Sequence, residues 1–435
     1  MSDRFRLKVL EVSAARKELL AKRWPNVEKF DPELADYVQV IIDEVKRRGD
    51  AALVDLTLKF DGLRLSPDRL RVTREDIERA YENVSEEQIS AIEFMKGRIE
   101  AFQKEILGRI SFEYEREGVR IRSCTSPIRR VGCYVPGGQA AYPSSLIMTI
   151  VPAKVAGVPE VVVCSPPRTG GEIDQLVLVS ADICRADEIY GVGGVQAIAA
   201  MAYGTETIKP VDKLVGPGNR YVLMAKMLVS QDVPTDFPAG PSEIVTLADD
   251  SADPRTVAFD MVSQAEHIDG VSILVTPSRA VAHTVSRELE HMVSSLPNKD
   301  TVVKNLSSNA SAVVCTNVQE AVRFVNEFAP EHVEVMMEDG WGIAEKITTA
   351  GIVLVGKYTP VSASDYCLGT NHILPTNGFS HVYSGLSVLD FVKRFSIAEC
   401  SEKGLMKVRK PLKVLAESES LPNHALATEE RFVDA

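Results

Sequence analysis

From Arg130 to about Val355, short runs rich in β-branched residues alternate with small, apolar segments at helical spacing, and no other feature narrows the fold as much. Val161-Val162-Val163-Cys164 is followed by residues 176–184, then Glu188-Ile189-Tyr190, then residues 197–203. Strand, helix, strand, helix requires crossover connections, and these build parallel sheets covered by helices. The pattern resumes at Ile244-Val245-Thr246-Leu247, residues 271–275, residues 311–315 and Ile352-Val353-Leu354-Val355, with helical segments between. Two parallel α/β layers are expected.

The flanks read differently. Between residues 9 and 110, apolar positions at helical spacing (Val38, Ile41, Ile42, Val45, then Leu53, Leu56, Phe60) predict mostly amphipathic helix. Three loops, Val135-Pro136-Gly137-Gly138, Gly216-Pro217-Gly218-Asn219 and Ala239-Gly240-Pro241-Ser242, break regular structure and mark a ligand or a boundary. After Arg394 the chain is charged and predicted helical to about Ser418, with no strand signal, the pattern of a tail that packs on another domain or subunit.

Composition excludes several functions. The 61 acidic and 49 basic residues give a net charge of -12, which disfavours nucleic acid and anionic membranes and favours a small-molecule substrate. Seven cysteines, odd in number and never in a CxxC pair, disfavour a disulfide framework and a Cys-rich zinc site and fit a reducing cytoplasm. The most apolar stretch, residues 146–158, is interrupted by Pro152 and Lys154, and the start lacks a signal-peptide core, so no targeting or membrane segment is read.

Five places carry candidate chemistry. Asp253-Pro254 is a good helix start, so one helix should run to about Glu266, with Gln264 and His267 a turn apart on one face. Taken alone, a histidine near a helix end is more often a capped or satisfied structural residue than a metal ligand. Glu331-His332 opens a new element after Ala329-Pro330 and offers an adjacent acid and base. Asp365-Tyr366-Cys367-Leu368-Gly369-Thr370-Asn371-His372 places a carboxylate and an imidazole in a loop after an apolar strand, where α/β sites usually lie. Glu419 and His424, around Pro422, read locally as a solvated tail. Gly191-Val192-Gly193-Gly194 can hold a phosphate on backbone amides but lacks the third glycine of the dinucleotide fingerprint.

Residues 130–138, 193–206, 211–219, 239–243, 263–267, 330–332, 365–376 and 384–394 together resemble, in order, the histidinol dehydrogenase family over nearly the whole chain. Ala-Gly-Pro-Ser-Glu followed by Gln-Ala-Glu-His, and Asn-His-Ile-Leu-Pro-Thr, are the most specific stretches. The resemblance implies a cytoplasmic, NAD-dependent oxidation of L-histidinol, through its aldehyde, to L-histidine. It implies one zinc per subunit on Gln264, His267, Asp365 and His424. It makes His332 the general base and Glu331 the activator of water. Ser242, His372 and Glu419 would contact substrate alongside Gln264, His267, His332, Asp365 and His424, whereas Tyr134, Gln196 and Asn219 would contact the dinucleotide.

The implied fold is α/β, with two incomplete Rossmann-like parallel-sheet domains and small helical tails. Residues 1–25 form a helical segment, residues 26–133 and 243–386 a main domain carrying the zinc and catalytic residues, and residues 134–242 an inserted cofactor domain. Residues 387–435 form a helical tail exchanged in a homodimer with shared sites, so Glu419 and His424 would come from the neighbouring copy.

Five positions depart from the family pattern: Ser364 and Ser420 replace glycine, Val361 replaces glutamate, Val195 replaces alanine, and Phe259 replaces a small residue. Three rival readings accompany the match. One is a paralogous zinc and NAD alcohol dehydrogenase for another small polar alcohol. In the second, Cys133 is a nucleophile, against a structural cysteine in an apolar strand-like run. The third is an inactive binding protein, which predicts erosion of acid, base or ligand positions, and all of these are present.

Overall fold

The computed structural model describes residues 5–23, 31–137, 141–168, 170–238 and 240–432. Gly138 and Ala239, in two of the loops singled out above, and the expected boundary at residue 25 lie outside them.

Two parallel sheets form as the alternation predicts. The larger has six strands in the order Lys8–Glu11, Ala310–Val314, Val271–Thr276, Glu243–Ala248, His332–Met336, Ile352–Val355. The smaller has four, Glu188–Tyr190, Glu160–Cys164, Arg130–Tyr134 and Lys213–Val215. Both are buried on two faces, which is why their strands read as continuous apolar runs. Lys8–Glu11 corrects the helical reading of the first quarter at its start. Four residues are too few to show a period, and the strand exists because the edge of Ala310–Val314 pairs with it.

The described helices between residues 32 and 108 do not cover the sheet they were expected to join. Pro32–Arg48 packs on Gly194–Tyr203 and Arg220–Val229, and Glu86–Gly108 packs on Pro143–Ala156, so they sheathe the four-stranded sheet. Their apolar stripes specify burial but not a partner, and the partner is the four-stranded sheet.

The tail also differs. Val392–Cys400 is a strand, paired antiparallel with Val119–Pro127, which pairs in turn with Phe112–Arg116. Val392–Cys400 is exposed along nearly its whole length, so no buried stripe marks it in the sequence; only the distant ladder makes it a strand. The predicted helix follows as Glu402–Ser418, and Pro422–Glu429 packs against it. Among the described residues, no helix is long and apolar enough to cross a membrane.

Candidate active site

Glu243 and His332 are the first residues of adjacent strands, so the catalytic candidates sit at the amino ends of the six-stranded sheet. The expectation of a loop following the carboxyl end of a strand is therefore corrected. Helices run antiparallel to the strands they follow, and Gln264 and Asp365 arrive at this same edge near helix C-termini.

The helix Pro254–Gln264 is capped by Asp253, with Pro254 at its first position, but it ends at Gln264, short of His267. A turn carries His267 instead. Asn305 fixes this turn, its amide donating to the carbonyls of Ala265 at 2.8 Å and His267 at 2.6 Å. Gly270 is required there, because a Cβ would lie 2.3 Å from the Gln264 carbonyl oxygen. Asp365 stands on the short helix Val361–Tyr366 rather than in a loop. His372 returns to it, with Nδ1 donating to the Asp365 carbonyl at 3.0 Å. Asn371 donates to Met148 O at 2.8 Å and so ties this loop to the layer of the other sheet.

His332 is buried, and its two ring nitrogens have different surroundings. Nδ1 lies 3.0 Å from the backbone carbonyl of Glu243. A carbonyl only accepts, so Nδ1 carries a proton, and in the neutral ring Nε2 is then the bare nitrogen. Nε2 is buried without a hydrogen-bond partner and faces Asp365 Oδ1 at 3.6 Å. Asp365 Oδ1 and Gln264 Nε2 are also buried and unpartnered. Buried polar atoms are seldom left orphaned, and the facing pair of His332 Nε2 and Asp365 Oδ1 is a place where a ligand would supply the missing partner.

The electrostatics follow from this crowding. Burial pulls the His332 pKa down, yet the Glu331 and Asp365 carboxylates outweigh it and hold it well above the usual imidazole value. Burial alone would raise Asp365, but His332, His372 and His267 together hold it below the usual carboxylate range. Glu331 is raised by burial, opposed by His332, while its carboxylate accepts the Glu243 backbone N–H at 2.8 Å. Burial and then Asp260 push Glu334 up to about 8, and Glu334 accepts from Val361 N–H at 2.9 Å and the Thr246 hydroxyl at 3.3 Å.

His332, His372 and His267 thus gather around Asp365, with half-buried Ser242 directly before Glu243. Glu419, in the turn after Glu402–Ser418, and His424, on Pro422–Glu429, are exposed and do not join them on this chain. Among the described residues, no three His, Cys, Asp or Glu side chains gather closely enough to hold a metal. Of the departures, Ser364 keeps a negative φ and bonds Thr370 at 3.0 Å, Val361 packs on Ile244 and Leu354, and Phe259 is exposed on the outer surface. Only Ser420 adopts a conformation that favours glycine, with φ +60°.

A second cavity, of about 390 Å³, lies against the four-stranded sheet and brings together Tyr134, Gln196 and Asn219. Tyr134 accepts the Gly194 N–H at 3.1 Å, and Asn219 caps the helix Arg220–Val229 by accepting from Tyr221 N–H at 3.0 Å and Val222 N–H at 3.2 Å. Gly216, at φ +120°, brings the adjacent loop within 2.1 Å of Tyr134 O at its missing Cβ, a close approach other residues forbid. Strands Arg130–Tyr134 and Lys213–Val215 send their chains to opposite faces here, the switch point where α/β sheets bind nucleotides. Cys133 is fully buried in this core and its thiol is pushed up to about 12 by burial, which makes it structural and not a nucleophile at neutral pH.

Glu243 closes the Ala-Gly-Pro-Ser-Glu motif without any sign of its role, and Arg23, Asn305, Asp260 and Glu334 carry no local signal in the sequence.

Residues 26–432 match the family model described as histidinol dehydrogenase. A histidinol dehydrogenase of Methanosarcina mazei is 40% identical over 427 residues, covering 98% of this chain and 97% of that protein. One from a Synechococcus strain is 42% identical over 389 residues, covering 89% and 90% respectively. The crystal structure of histidinol dehydrogenase from Elizabethkingia anophelis superposes with a TM-score of 0.92 at 34% identity, covering 99% of this chain and 98% of that one.

Proposed function

Since this chain belongs to the histidinol dehydrogenase family and is an oxidoreductase, we propose that it converts L-histidinol through L-histidinaldehyde to L-histidine with two NAD, at one zinc-bearing site. The observation that carries this reading is the buried, unpartnered Nε2 of His332, a base whose other nitrogen is committed to the Glu243 carbonyl.

The residues present fit both groups. Gln264, through its amide oxygen, His267 and Asp365 offer the nitrogen and oxygen donors that zinc takes, and the buried Oδ1 of Asp365 lacks the partner that a cation would supply. Tyr134, Gln196 and Asn219 would hold NAD in the second cavity. When bound, zinc would fix the amine and imidazole nitrogens of the substrate, and NAD would accept each hydride.

His332 removes the hydroxyl proton at Nε2 as the first hydride departs. The Glu331 and Asp365 carboxylates on either side stabilise the imidazolium that forms as Nε2 takes the proton. Glu331, raised by burial, is a stronger base than an ordinary carboxylate and activates the water that hydrates the aldehyde. His332, having passed its first proton to solvent, then takes the hydrate proton as the second hydride leaves. Ser242 and His372 line the substrate's place, and holding the aldehyde between steps spares it side reactions.

Glu419 and His424 complete the site from a second copy. This is supported by their exposure on this chain, away from Asp365, and by exposed Phe395, Ile397, Leu415, Leu421 and Leu426 on the same tail, a surface suited to a dimer. The charge balance and scattered free cysteines fit work in the cytoplasm.

A steady-state assay with L-histidinol and NAD in the presence of zinc tests the reading. NADH formation favouring L-histidinol over other small amino alcohols is expected. Preference for another alcohol selects the paralogous reading, and no NADH from any of them refutes both.

A further inference from the structure

We infer that Arg23 is a positioning residue for the Glu331–His332 pair, acting through Glu243 and through the turn at Ala329. This rests on the catalytic reading of that pair. Arg23 is buried, at 5% exposure, and its guanidinium makes four hydrogen bonds. Nη1 and Nη2 donate to the two carboxylate oxygens of Glu243 at 2.7 and 2.8 Å. Nε donates to Phe328 O at 2.6 Å and Nη2 also to Ala329 O at 3.2 Å, while the cation lies 3.6 Å from the centre of the Phe328 ring.

These contacts fix both chain segments from which the catalytic pair hangs. On one side, the Glu243 N–H holds the Glu331 carboxylate and the Glu243 carbonyl holds His332 Nδ1. On the other, Ala329 ends the preceding helix at φ +48°, a left-handed residue that an alanine holds only against strain, two residues before Glu331. One planar fork of donors therefore sets the spacing of Glu243 and Glu331-His332 across adjacent strands. Lysine offers a point charge and cannot satisfy four acceptors in this plane.

A buried ion pair is a weak reason for stability, because apolar residues of similar volume often replace it without loss. Geometry at a base is less forgiving, since a displacement of about 1 Å can cost about 100-fold in rate.

The test uses Arg23→Ala and the double variant R23M/E243M in the full-length, zinc-loaded protein, with kcat, KM for L-histidinol, zinc content and melting temperature measured together. Arg23→Ala is expected to lose about 10- to 100-fold in kcat, with KM and zinc content held. Added guanidinium should restore part of the lost rate, which repair of a general folding defect would not do. The double variant should melt near the parent temperature and remain slow. Parent-like kcat in either variant overturns the inference, and so does loss of zinc or of the folded state in both, which marks the pair as structural. An inactive parent protein refutes the functional reading instead.

Discussion

Replacing His332 with asparagine separates the work of its two ring nitrogens. The asparagine amide nitrogen branches from Cγ where Nδ1 does, so it can still donate to the Glu243 carbonyl that His332 reaches at 3.0 Å. The variant avoids orphaning that buried carbonyl, which costs about 1–3 kcal/mol. What it removes is Nε2, the unpartnered nitrogen facing Asp365. Losing a general base slows a reaction about 10²- to 10⁴-fold, equivalent to roughly 2.7–5.5 kcal/mol at about 1.36 kcal/mol per decade. His332→Asn should therefore lose activity on that scale while melting close to the parent protein, whereas His332→Ala should lose the same activity and also stability. The assay is NADH formation at saturating L-histidinol, beside thermal denaturation and zinc content of the same samples. Activity in His332→Asn within a factor of about ten of the parent would refute the assignment of Nε2 as the base.

His424→Ala should lower the zinc content of the purified protein, and normal occupancy would count against a fourth ligand from the tail. Ser420→Gly should stabilise the chain by about 1 kcal/mol, because a side chain at φ +60° costs roughly 1–2 kcal/mol and glycine returns about half of that as lost backbone entropy; a lower melting temperature would contradict this. Burial alone would raise Glu188, but Arg130 and Tyr190 hold it below the ordinary glutamate value. Its stabilisation is therefore complete above the unfolded glutamate value and lost as pH falls through the lower folded one. Glu188→Gln should thus cost about 1–3 kcal/mol near neutral pH, and the gap between variant and parent should close in acid.

The parallel sheets were legible because strands buried on both faces keep unbroken apolar runs, as at Val161–Val163 and Ile352–Val355. Val392–Cys400 was not, because its exposed faces carry no pattern and its ladder partner lies more than 260 residues away in sequence. The helix before His267 was placed correctly at Asp253 but overran, since the stop lies in Asn305 and the close approach at Gly270, neither visible locally. Asp365 and His332 meet only in three dimensions. Their sequence signal was the ordered family match, and Arg23 and Glu334, which hold their surroundings in place, had none.

The most direct measurement is stoichiometry: a limiting amount of L-histidinol, excess NAD, and NADH and product counted at completion. Two NADH and one L-histidine are expected for each L-histidinol, with no aldehyde released. One NADH with free aldehyde would contradict the hydration role of Glu331 and the second step, and no NADH would contradict the assignment of the site as a whole.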